Sequence, residues 1–484
     1  MNSKLLVGAC FSFLGMLLGT TEFARCQSPE APSQNAAISR RALAPVVTQP
    51  TADNSVTLID STNPIEDPVV FDDFFVDKAL RLELYQCGDA RDMTTTLQTL
   101  AEEPCWPENP NSLIMPFPYG KYIVKAWDAA SNRLIFSKGL DSLFAEYATT
   151  KPALTGTKRV IQTTARIPMP KAAIKLTIER RNGDNSLSII MTEQLDPSDI
   201  RIRRESLAKG DKAFDIQVKG NPHHCLDIAF LAEGYSAKEE DKFKADVQKM
   251  SDYLLSVAPY QGLSDRINVR GVFRASEESG TDLPHKGIFR NTALNSSFNT
   301  LDIDRYLLLD DNHRMHQMAA AIPFDTIVVL VNSTTYGGGA ICLDYCVCTT
   351  DHPSSPMVFV HELGHCLAYL ADEYVGNVSY NDIYPEGIEP VEPNITRQLD
   401  PDKIKWKSFL SKDVALPTKS SRETRADRTV GAFEGGGYLS KGMYRPQAGC
   451  WMGSANPKEG FCIVCDDAIQ RMIEYYSSKP ETAK

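Results

Sequence analysis

The sequence predicts a multidomain protein in which an N-terminal all-β sandwich is followed by an α/β (α+β) domain. Three observations lead to this fold class. The 484 residues are enough for two or three domains, each with its own core. Residues 69–204 contain short runs of alternating apolar and polar residues separated by turn sequences, as in half-buried antiparallel strands. From residue 221 onward, apolar runs alternate with helical patterns, as in domains built on a largely buried sheet.

Residues 1–26 predict a secretory signal peptide. Lys4 precedes an apolar run over residues 5–18, which is typical of a signal sequence and too short for a good transmembrane helix. Cys10 stands in a loosely lipoprotein-like context, so lipidation is the alternative to free secretion. Residues 27–68 are rich in Pro, Ser, Thr, Ala and Asn and predict a flexible tether. We therefore expect an exported protein (extracellular, periplasmic or surface-tethered) with no transmembrane helix in the mature chain.

Residues 69–204 are predicted to form the β-sandwich. Alternation is clearest over residues 80–84, 122–127 and 174–178. Turn sequences such as Asn182-Gly183 separate the runs, and this spacing of short strands and turns is typical of a sandwich. No pattern in the region indicates catalysis, so we interpret it as a structural or binding module.

Residues 221–478 are predicted to form the α/β domain. Strands are expected over residues 225–231, 267–273 and 326–331, and helices from Ser236 onward, over 302–321 and over 461–477. Ser236 with Glu239 three residues later is the pattern of a capping box. His313 and His316 lie three apart on the second of these helices, and we expect them to be exposed rather than to form a second site.

The composition limits the classes of partner and the chemistry of the cysteines. A net charge of −11 without a basic stripe argues against binding to nucleic acid or to an anionic membrane. Two of the twelve cysteines, Cys10 and Cys26, lie in or beside the signal, which leaves an even set of ten. In an oxidising compartment these are expected to pair largely as disulfides, and Cys87 with Cys105 would make a local bridge.

The segment from His361 to His365 reads HELGH and fits the pattern H-E-x-x-H. Residues four apart share one face of a helix, so His361 and His365 can bind one zinc ion. Glu362 follows the first ligand, where a carboxylate can act as general base toward water. The sequence therefore predicts a catalytic zinc centre.

A catalytic zinc usually has three protein ligands and an open position. Asp372 lies eleven residues after His361, which on one unbroken helix would place it about 16 Å along the axis. Asp372 can bind the same ion only if the helix ends and the chain turns back near residues 368–371. Ala368 stands where a glycine would ease such a turn. Glu373, or a more distant glutamate, is the alternative third ligand.

These residues resemble the motif of the zinc-dependent IgA-peptidase family of metallopeptidases, which continues over residues 370–374 (LADEY). The resemblance extends to residues 232–235 (AEGY), 278–282 (ESGTD), 336–339 (YGGG), 433–438 (FEGGGY), 444–446 (YRP), 461–465 (FCIVC), 71–75 (FDDFF) and 167–171 (IPMPK). It implies a metzincin-like catalytic domain behind a β-sandwich, one catalytic Zn²⁺ and endopeptidase activity on protein or peptide substrates. Cleavage of immunoglobulin A itself belongs to few members and is not assumed.

Further site residues follow from the resemblance. Met452 is a candidate for a Met-turn beneath the zinc, and an ordinary buried methionine is the alternative. Gly337, Gly338 and Gly339 are candidates for a strand edge that a substrate backbone can approach and pair with. Tyr444, like Tyr374, is a candidate donor to the oxyanion that develops during hydrolysis.

The C-x-x-C pair of Cys462 and Cys465 has two interpretations. In a cytosolic protein, with Cys450 nearby in sequence, it would indicate structural zinc or redox chemistry. In an exported protein, disulfides to neighbours such as Cys450 are favoured.

The function that the sequence favours is that of a secreted zinc-dependent endopeptidase. One alternative is a surface binding protein or adhesin with a structural or vestigial zinc site. A purely structural zinc site does not need Glu362, so the presence of this glutamate weighs against the binding-protein alternative. Another alternative is a zinc hydrolase that acts on a substrate other than protein.

Overall fold

The computed structural model describes residues 68–204, 210–376, 383–454 and 459–478. The predicted signal peptide and the tether, except for its last residue, lie outside these ranges. The described residues all belong to one compact unit, Asp60–Lys484.

The N-terminal part of the described chain consists mainly of two four-stranded sheets. Its strands are β1 (Phe75–Gly88), β2 (Met93–Glu103), β3 (Tyr122–Asp128), β4 (Leu134–Leu140), β5 (Arg159–Pro170), β6 (Ile174–Arg181), β7 (Leu187–Leu195) and β8 (Ile202–Arg203). One sheet has the order β5-β1-β2-β8 and the other β4-β3-β6-β7. All pairings are antiparallel except that of β2 with β8. Short helices α1 (Phe71–Phe74), α2 (Leu143–Tyr147) and α3 (Lys151–Leu154) accompany them.

The two sheets share one apolar core. Leu80, Leu82 and Leu84 of β1 are completely buried and contribute to it together with residues of the other sheet. The intervening Arg81 and Glu83 point to the opposite face, as period-two alternation requires. They are buried as well, so this polar face of the sheet is covered by other parts of the molecule.

The C-terminal part of the described chain surrounds a six-stranded sheet. The strands of this part of the chain are β9 (Lys212–Gln217), β10 (Leu226–Glu233), β11 (Ile267–Phe273), β12 (Ser296–Ser297), β13 (Leu308–Leu309), β14 (Thr326–Val331), β15 (Gly338–Ile341), β16 (Tyr345–Thr349), β17 (Phe433–Gly436) and β18 (Leu439–Arg445). Strands β12 and β13 pair with each other outside the large sheet, as do β17 and β18. Its helices are α4 (Glu240–Ser256), α5 (Asn312–Ala319), α6 (Ser355–Ala368), α7 (Arg422–Ala426) and α8 (Ile463–Ser477). Short 3-10 helices lie at Pro222–His224, Tyr260–Arg266, Pro284–Lys286, Thr300–Asp302 and Lys407–Phe409.

The large sheet has the order β15-β16-β14-β10-β11-β9. Its four central strands run parallel, whereas β15 and β9 pair antiparallel at the two edges. Strands β10, β11 and β14 are buried along their whole length, as continuous apolar runs in a covered parallel sheet should be. Overall the protein mixes several β-sheets with helices.

The three strands predicted for the large sheet closely match the observed residue ranges, whereas two helices differ from their predicted ranges. The helix predicted from Ser236 begins at Glu240, although the Glu239 carboxylate still accepts the backbone N–H of Ser236 at 2.8 Å. The helix predicted over 302–321 is shorter, because α5 covers only Asn312–Ala319 and the strand β13 precedes it.

The prediction that His313 and His316 are exposed is wrong. Both side chains are buried. The ring of His313 lies 2.9 Å from the carbonyl oxygen of Leu84 in β1, and that of His316 lies 2.7 Å from a carboxylate oxygen of Asp344. Helix α5 therefore contacts the N-terminal sheet on one side and the turn between β15 and β16 on the other, and its own sequence does not show these contacts.

The predicted disulfides are not found. The ten cysteines among the described residues, including Cys87 and Cys105, are all free thiols. The same described residues contain no helix that is long and apolar enough to cross a membrane.

Arg166 of β5 joins the two parts of the structure. Its guanidinium lies 2.9 Å from the buried Glu103 carboxylate, donates to the Phe324 carbonyl at 3.0 Å and covers the Phe324 ring at 3.8 Å. Burial alone would raise the pKa of Glu103, but Arg166 and Arg81 outweigh burial and lower that pKa.

We expect Arg166→Ala to reduce the free energy of unfolding by about 3 kcal/mol, because it leaves a buried carboxylate with only part of its countercharge. The lowered pKa of Glu103 means that its stabilisation is present above pH 4.5, its ordinary value, and is lost as the pH falls. The loss in Arg166→Ala should therefore shrink in acid. Denaturant unfolding at several pH values measures this, with the exposed Arg201→Ala as control. Equal stabilities for the two variants near neutral pH would contradict the assignment.

Candidate metal centre and active-site cleft

Helix α6 carries the H-E-x-x-H residues into the core. The helix begins after Ser354, with Pro356 in its first turn, and its apolar residues Val358, Phe359 and Val360 are buried. His361 and His365 lie one turn apart on the same face, with their ring centroids 4.8 Å apart. This face borders the cavity described below.

The helix ends at Ala368, and the chain turns back at the next residue. Tyr369 adopts the left-handed conformation (φ 54°, ψ 33°), and the backbone N–H of Leu370 bonds to the Gly364 carbonyl at 3.3 Å. This turn falls within residues 368–371, where the sequence required the chain to turn back if Asp372 is a ligand, and Ala368 itself remains helical. A tyrosine in this conformation is strained, and its side chain supplies the compensation.

The Tyr369 side chain packs into a prepared site. Its ring stacks on Tyr119 with centroids 5.3 Å apart and planes 9° apart. Its hydroxyl donates to a carboxylate oxygen of Asp141 at 3.3 Å, and burial raises the pKa of Asp141 to about 7. These contacts hold the turn that directs the following residues toward the histidines.

The turn brings Asp372 to the two imidazoles. Its Oδ1 atom lies 3.2 Å from His361 Nε2 and 3.3 Å from His365 Nε2, and the two Nε2 atoms are 3.1 Å apart. The same Oδ1 is buried and accepts no hydrogen bond from the described residues. Three ligand atoms thus converge on one point.

Hydrogen bonds behind the three side chains orient them. His361 Nδ1 donates to the Trp451 carbonyl at 2.9 Å and His365 Nδ1 donates to the Leu370 carbonyl at 2.5 Å. Because a carbonyl can only accept, the proton of each neutral ring sits on Nδ1 and the Nε2 lone pairs face each other. The Tyr438 hydroxyl donates to Oδ2 of Asp372 and leaves Oδ1 for the centre.

The electrostatics of the three side chains favour a cation. Burial would lower the pKa of His365, but the Asp372 carboxylate outweighs burial and raises it to about 9. Conversely, burial would raise the pKa of Asp372, but the two imidazoles lower it well below its usual range. The carboxylate therefore stays ionised inside the protein and attracts positive charge.

This group fits a metal ion. Two imidazole nitrogens and one carboxylate oxygen are a ligand set that zinc accepts in catalytic sites, and three protein ligands leave a position for water. The orphaned Oδ1 of Asp372 supports the same conclusion, since a cation would satisfy it. The alternative ligand, Glu373, points elsewhere: Oε1 of its side chain accepts from Asn394 Nδ2 at 3.0 Å.

Met452 lies beneath the turn of α6 that carries His365. It is completely buried, and a Cβ atom at position 364 would lie only 3.2 Å from its sulfur. Its carbonyl also accepts the backbone N–H of Glu373 at 2.7 Å. The close approach of the Met452 sulfur explains the glycine at position 364 and places Met452 under the candidate ligand His365.

A cavity of about 580 Å³ opens over the three ligands and Glu362. Gly338 and Gly339 border it, whereas Tyr444 is not among its described lining residues. A Cβ atom at position 338 would approach the Glu362 side chain to 3.3 Å. The outer edge of β15 is already paired in part, because Leu307 donates its backbone N–H to the Gly338 carbonyl at 3.2 Å.

Several cavity residues escaped the sequence analysis. Tyr438, Arg305 and Asp141 all line the cavity, and each comes from a segment distant in sequence from the motif. Arg305 is hydrogen-bonded to Tyr374, which raises the pKa of the guanidinium. Tyr438 ends the FEGGGY segment quoted above, but that segment did not indicate a contact with Asp372. Arg305 and Asp141 gave no signal in sequence, because only the fold brings them to α6.

The strain at Tyr369 yields a prediction. Tyr369→Gly and Tyr369→Ala both remove the stacking on Tyr119 and should both destabilise the protein, but only glycine relieves the left-handed strain. We expect Tyr369→Ala to be less stable than Tyr369→Gly by about 1 kcal/mol. Thermal or denaturant unfolding of the two variants measures the difference. Equal stability, or a more stable alanine variant, would show that the turn is not strained.

Comparison with known proteins gives two family matches. The family model described as IgA Peptidase M64 matches residues 214–428 and 420–473, and the one described as Peptidase M64 N-terminus matches residues 70–192. No curated protein matches the chain. A solved structure titled "Crystal Structure of a Thermostable Esterase" is 8% identical, with 53% of this chain and 73% of that chain covered, and its TM-score of 0.13 is too low to bear on the fold. The two matches to the first family model together span residues 214–473, more than half of the sequence, so the chain belongs to the IgA Peptidase M64 family.

Proposed function

We propose that this peptidase is a secreted, zinc-dependent endopeptidase with a metzincin-like catalytic domain behind a β-sandwich. The observation that carries the proposal is the convergence of His361 Nε2, His365 Nε2 and Asp372 Oδ1 within 3.3 Å of one another. Glu362 lies beside them at the cavity. Two imidazoles, a carboxylate and an adjacent free carboxylate form the set that metal-assisted hydrolysis requires.

The residues of the centre have two different roles in the proposed hydrolysis, metal binding and proton transfer. A zinc ion held by His361, His365 and Asp372 would supply the Lewis acidity that activates water near neutral pH and polarises a carbonyl group. Glu362 takes the proton of the attacking water and passes it to the amine nitrogen that leaves. Burial raises the pKa of Glu362, while the two imidazoles oppose that shift, and a carboxylate of raised pKa is a stronger base.

Other cavity residues complement the developing negative charge. Arg305 and Tyr374 line the same cavity and are hydrogen-bonded to each other. A guanidinium and a phenol in a partly enclosed site stabilise an oxyanion better than water does. The cavity volume of about 580 Å³ is large enough for several residues of a peptide.

Export and the domain limits belong to the same proposal. The signal peptide over residues 1–26 and the tether over 27–68 rest on composition and on the apolar run of residues 5–18. The sandwich over residues 69–204 and the peptidase domain over 221–478 rest on the two apolar cores, one shared by the two N-terminal sheets and one around the large sheet.

Replacement of the general base tests the mechanism. Glu362→Gln keeps the metal ligands and removes the proton acceptor, so we expect zinc content to stay the same while peptide hydrolysis falls by at least about 100-fold. Metal analysis and cleavage of a mixed peptide library, with products identified by mass, measure both quantities.

The matched control is Glu423→Gln, an exposed glutamate of α7, which should leave hydrolysis unchanged. Full hydrolysis by Glu362→Gln would overturn the mechanism. Zinc binding by the wild-type protein without hydrolysis of any peptide would favour a binding protein with a vestigial site.

The support of Asp372 by Tyr438 gives a second test. Tyr438→Phe removes the donor that orients the carboxylate, and we expect zinc affinity to fall by about 10- to 100-fold. Asp372→Asn should lower it further, because it removes the ligand charge. Competition with a chelator measures the affinities, and Tyr253→Phe on α4 is the control. An affinity of Asp372→Asn equal to that of the wild type would exclude Asp372 as a ligand.

A further inference from the structure

A second group of metal-binding side chains lies behind the catalytic centre. It consists of Glu373, Cys450, Cys462 and Cys465, which we call the thiolate cluster. Glu373 directly follows the ligand Asp372, Cys450 lies in the loop after β18, and the last two residues lie at the start of α8. Each of the four side chains is no more than 1% exposed.

The distances in the thiolate cluster match tetrahedral metal coordination. The sulfurs of Cys450 and Cys465 are 3.7 Å apart, and Oε1 of Glu373 lies 3.3 Å from the sulfur of Cys465 and 3.9 Å from that of Cys462. In a tetrahedral zinc site with Zn–S bonds of about 2.3 Å, neighbouring sulfurs are about 3.8 Å apart. A disulfide would require about 2.05 Å.

Backbone amides are directed at the sulfurs. The N–H of Cys462 lies 3.2 Å and that of Met452 3.5 Å from the Cys450 sulfur, and the N–H of Cys465 lies 3.4 Å from the Cys462 sulfur. Such donors, together with the positive end of α8, stabilise thiolates over thiols. Burial nevertheless raises the pKa of Cys450 and of Cys465, so these two thiols ionise only when a cation lies among the sulfurs.

Glu373 supplies an independent observation. Its Oε1 is hydrogen-bonded to Asn394 and contacts the sulfurs, but its Oε2 is buried without a hydrogen-bond partner among the described residues. A buried carboxylate oxygen without a partner costs free energy. A cation between the carboxylate and the sulfurs would remove that cost, whereas a disulfide between any two of the three cysteines would leave the carboxylate as it is.

We propose that the thiolate cluster binds a second zinc ion, and that this ion is structural. Three soft thiolates and one carboxylate form a ligand set that favours zinc. Four protein ligands close the coordination sphere, so no position remains for a substrate. Binding releases the thiol protons to solvent and changes no oxidation state.

The second ion would hold the parts that build the catalytic centre. Through the ion, Glu373 would link the segment that contains Asp372 to the start of α8. Cys450 would link the loop that contains Met452 to the same ion. The backbone N–H of Glu373 donates to the Met452 carbonyl at 2.7 Å. The thiolate cluster is therefore a positioning site behind the third ligand of the catalytic centre.

Cobalt substitution tests the proposal with a readout that the catalytic centre cannot give. The wild-type protein should contain two zinc ions per chain. After exchange into Co²⁺, it should show thiolate-to-cobalt charge-transfer absorption in the near ultraviolet, because the catalytic ligands include no sulfur. His361→Ala/His365→Ala should lose one ion and keep this absorption. Cys450→Ser/Cys462→Ser/Cys465→Ser should lose the absorption, and Cys87→Ser, at an exposed cysteine outside the cluster, should keep it.

X-ray absorption at the zinc edge of the wild-type protein keeps the test decisive if the triple variant does not fold. Sulfur scattering at about 2.3 Å is expected, and alkylation of the three thiols should require a chelator. One ion per chain without sulfur scattering, or a disulfide between two of these cysteines in peptide maps, would overturn the proposal. Neither result bears on Glu362, so failure here is separable from failure of the proposed mechanism.

Discussion

The catalytic geometry depends on a single backbone constraint, the left-handed turn at Tyr369. An α-helix that continued through this residue would carry Asp372 away from the two histidines. The turn reverses the chain within one residue. The Asn394 side chain then holds the returning segment: its amide oxygen accepts the N–H of Ala371 at 2.8 Å, and its amide nitrogen donates to the Ala371 carbonyl at 2.9 Å. The left-handed conformation is unfavourable for a tyrosine, and the stacking of its ring on Tyr119 offsets that strain energy. Because Tyr119 belongs to the N-terminal part of the chain, that part helps to form the site.

The same constraint determines how charge is arranged inside the protein. Asp372 is almost completely buried, and a carboxylate in that position needs nearby positive charge or donors. The Tyr438 hydroxyl donates to Oδ2, and a cation bound by the two imidazoles would satisfy Oδ1. The acceptors behind the two histidines are the backbone carbonyls of Trp451 and Leu370, so the orientation of the centre is set by main chain as well as by side chains.

The features that could be predicted from the sequence are those determined by the pattern of residues within a single segment. The buried strands and the closing helix follow from periodicity within one segment, and the structure agrees with them. The same kind of periodicity puts His361 and His365 on one face of α6, where their ring centroids are 4.8 Å apart. The roles of Tyr438 and Arg305 could not be predicted, because these residues reach α6 from distant loops. The burial of His313 escaped for a related reason: it is caused by packing against β1, which no helical pattern encodes. The sequence placed the turn within residues 368–371 but not at one residue, since alanine and tyrosine both disfavour the conformation and only tertiary packing decides between them.

Asp372 and Glu373 show why the third ligand could not be chosen from the sequence. Both are acidic, buried and adjacent, and either could follow a turn. Successive side chains of an extended chain point to opposite sides, and these two do so: Asp372 faces the imidazoles, while Glu373 faces Cys462 and Cys465. Burying two neighbouring carboxylates is costly unless each has its own compensation. Burial raises the pKa of Glu373 well above its ordinary value, so this carboxyl ionises only with a cation beside it, and the proposed second zinc ion among the three cysteines would supply that charge.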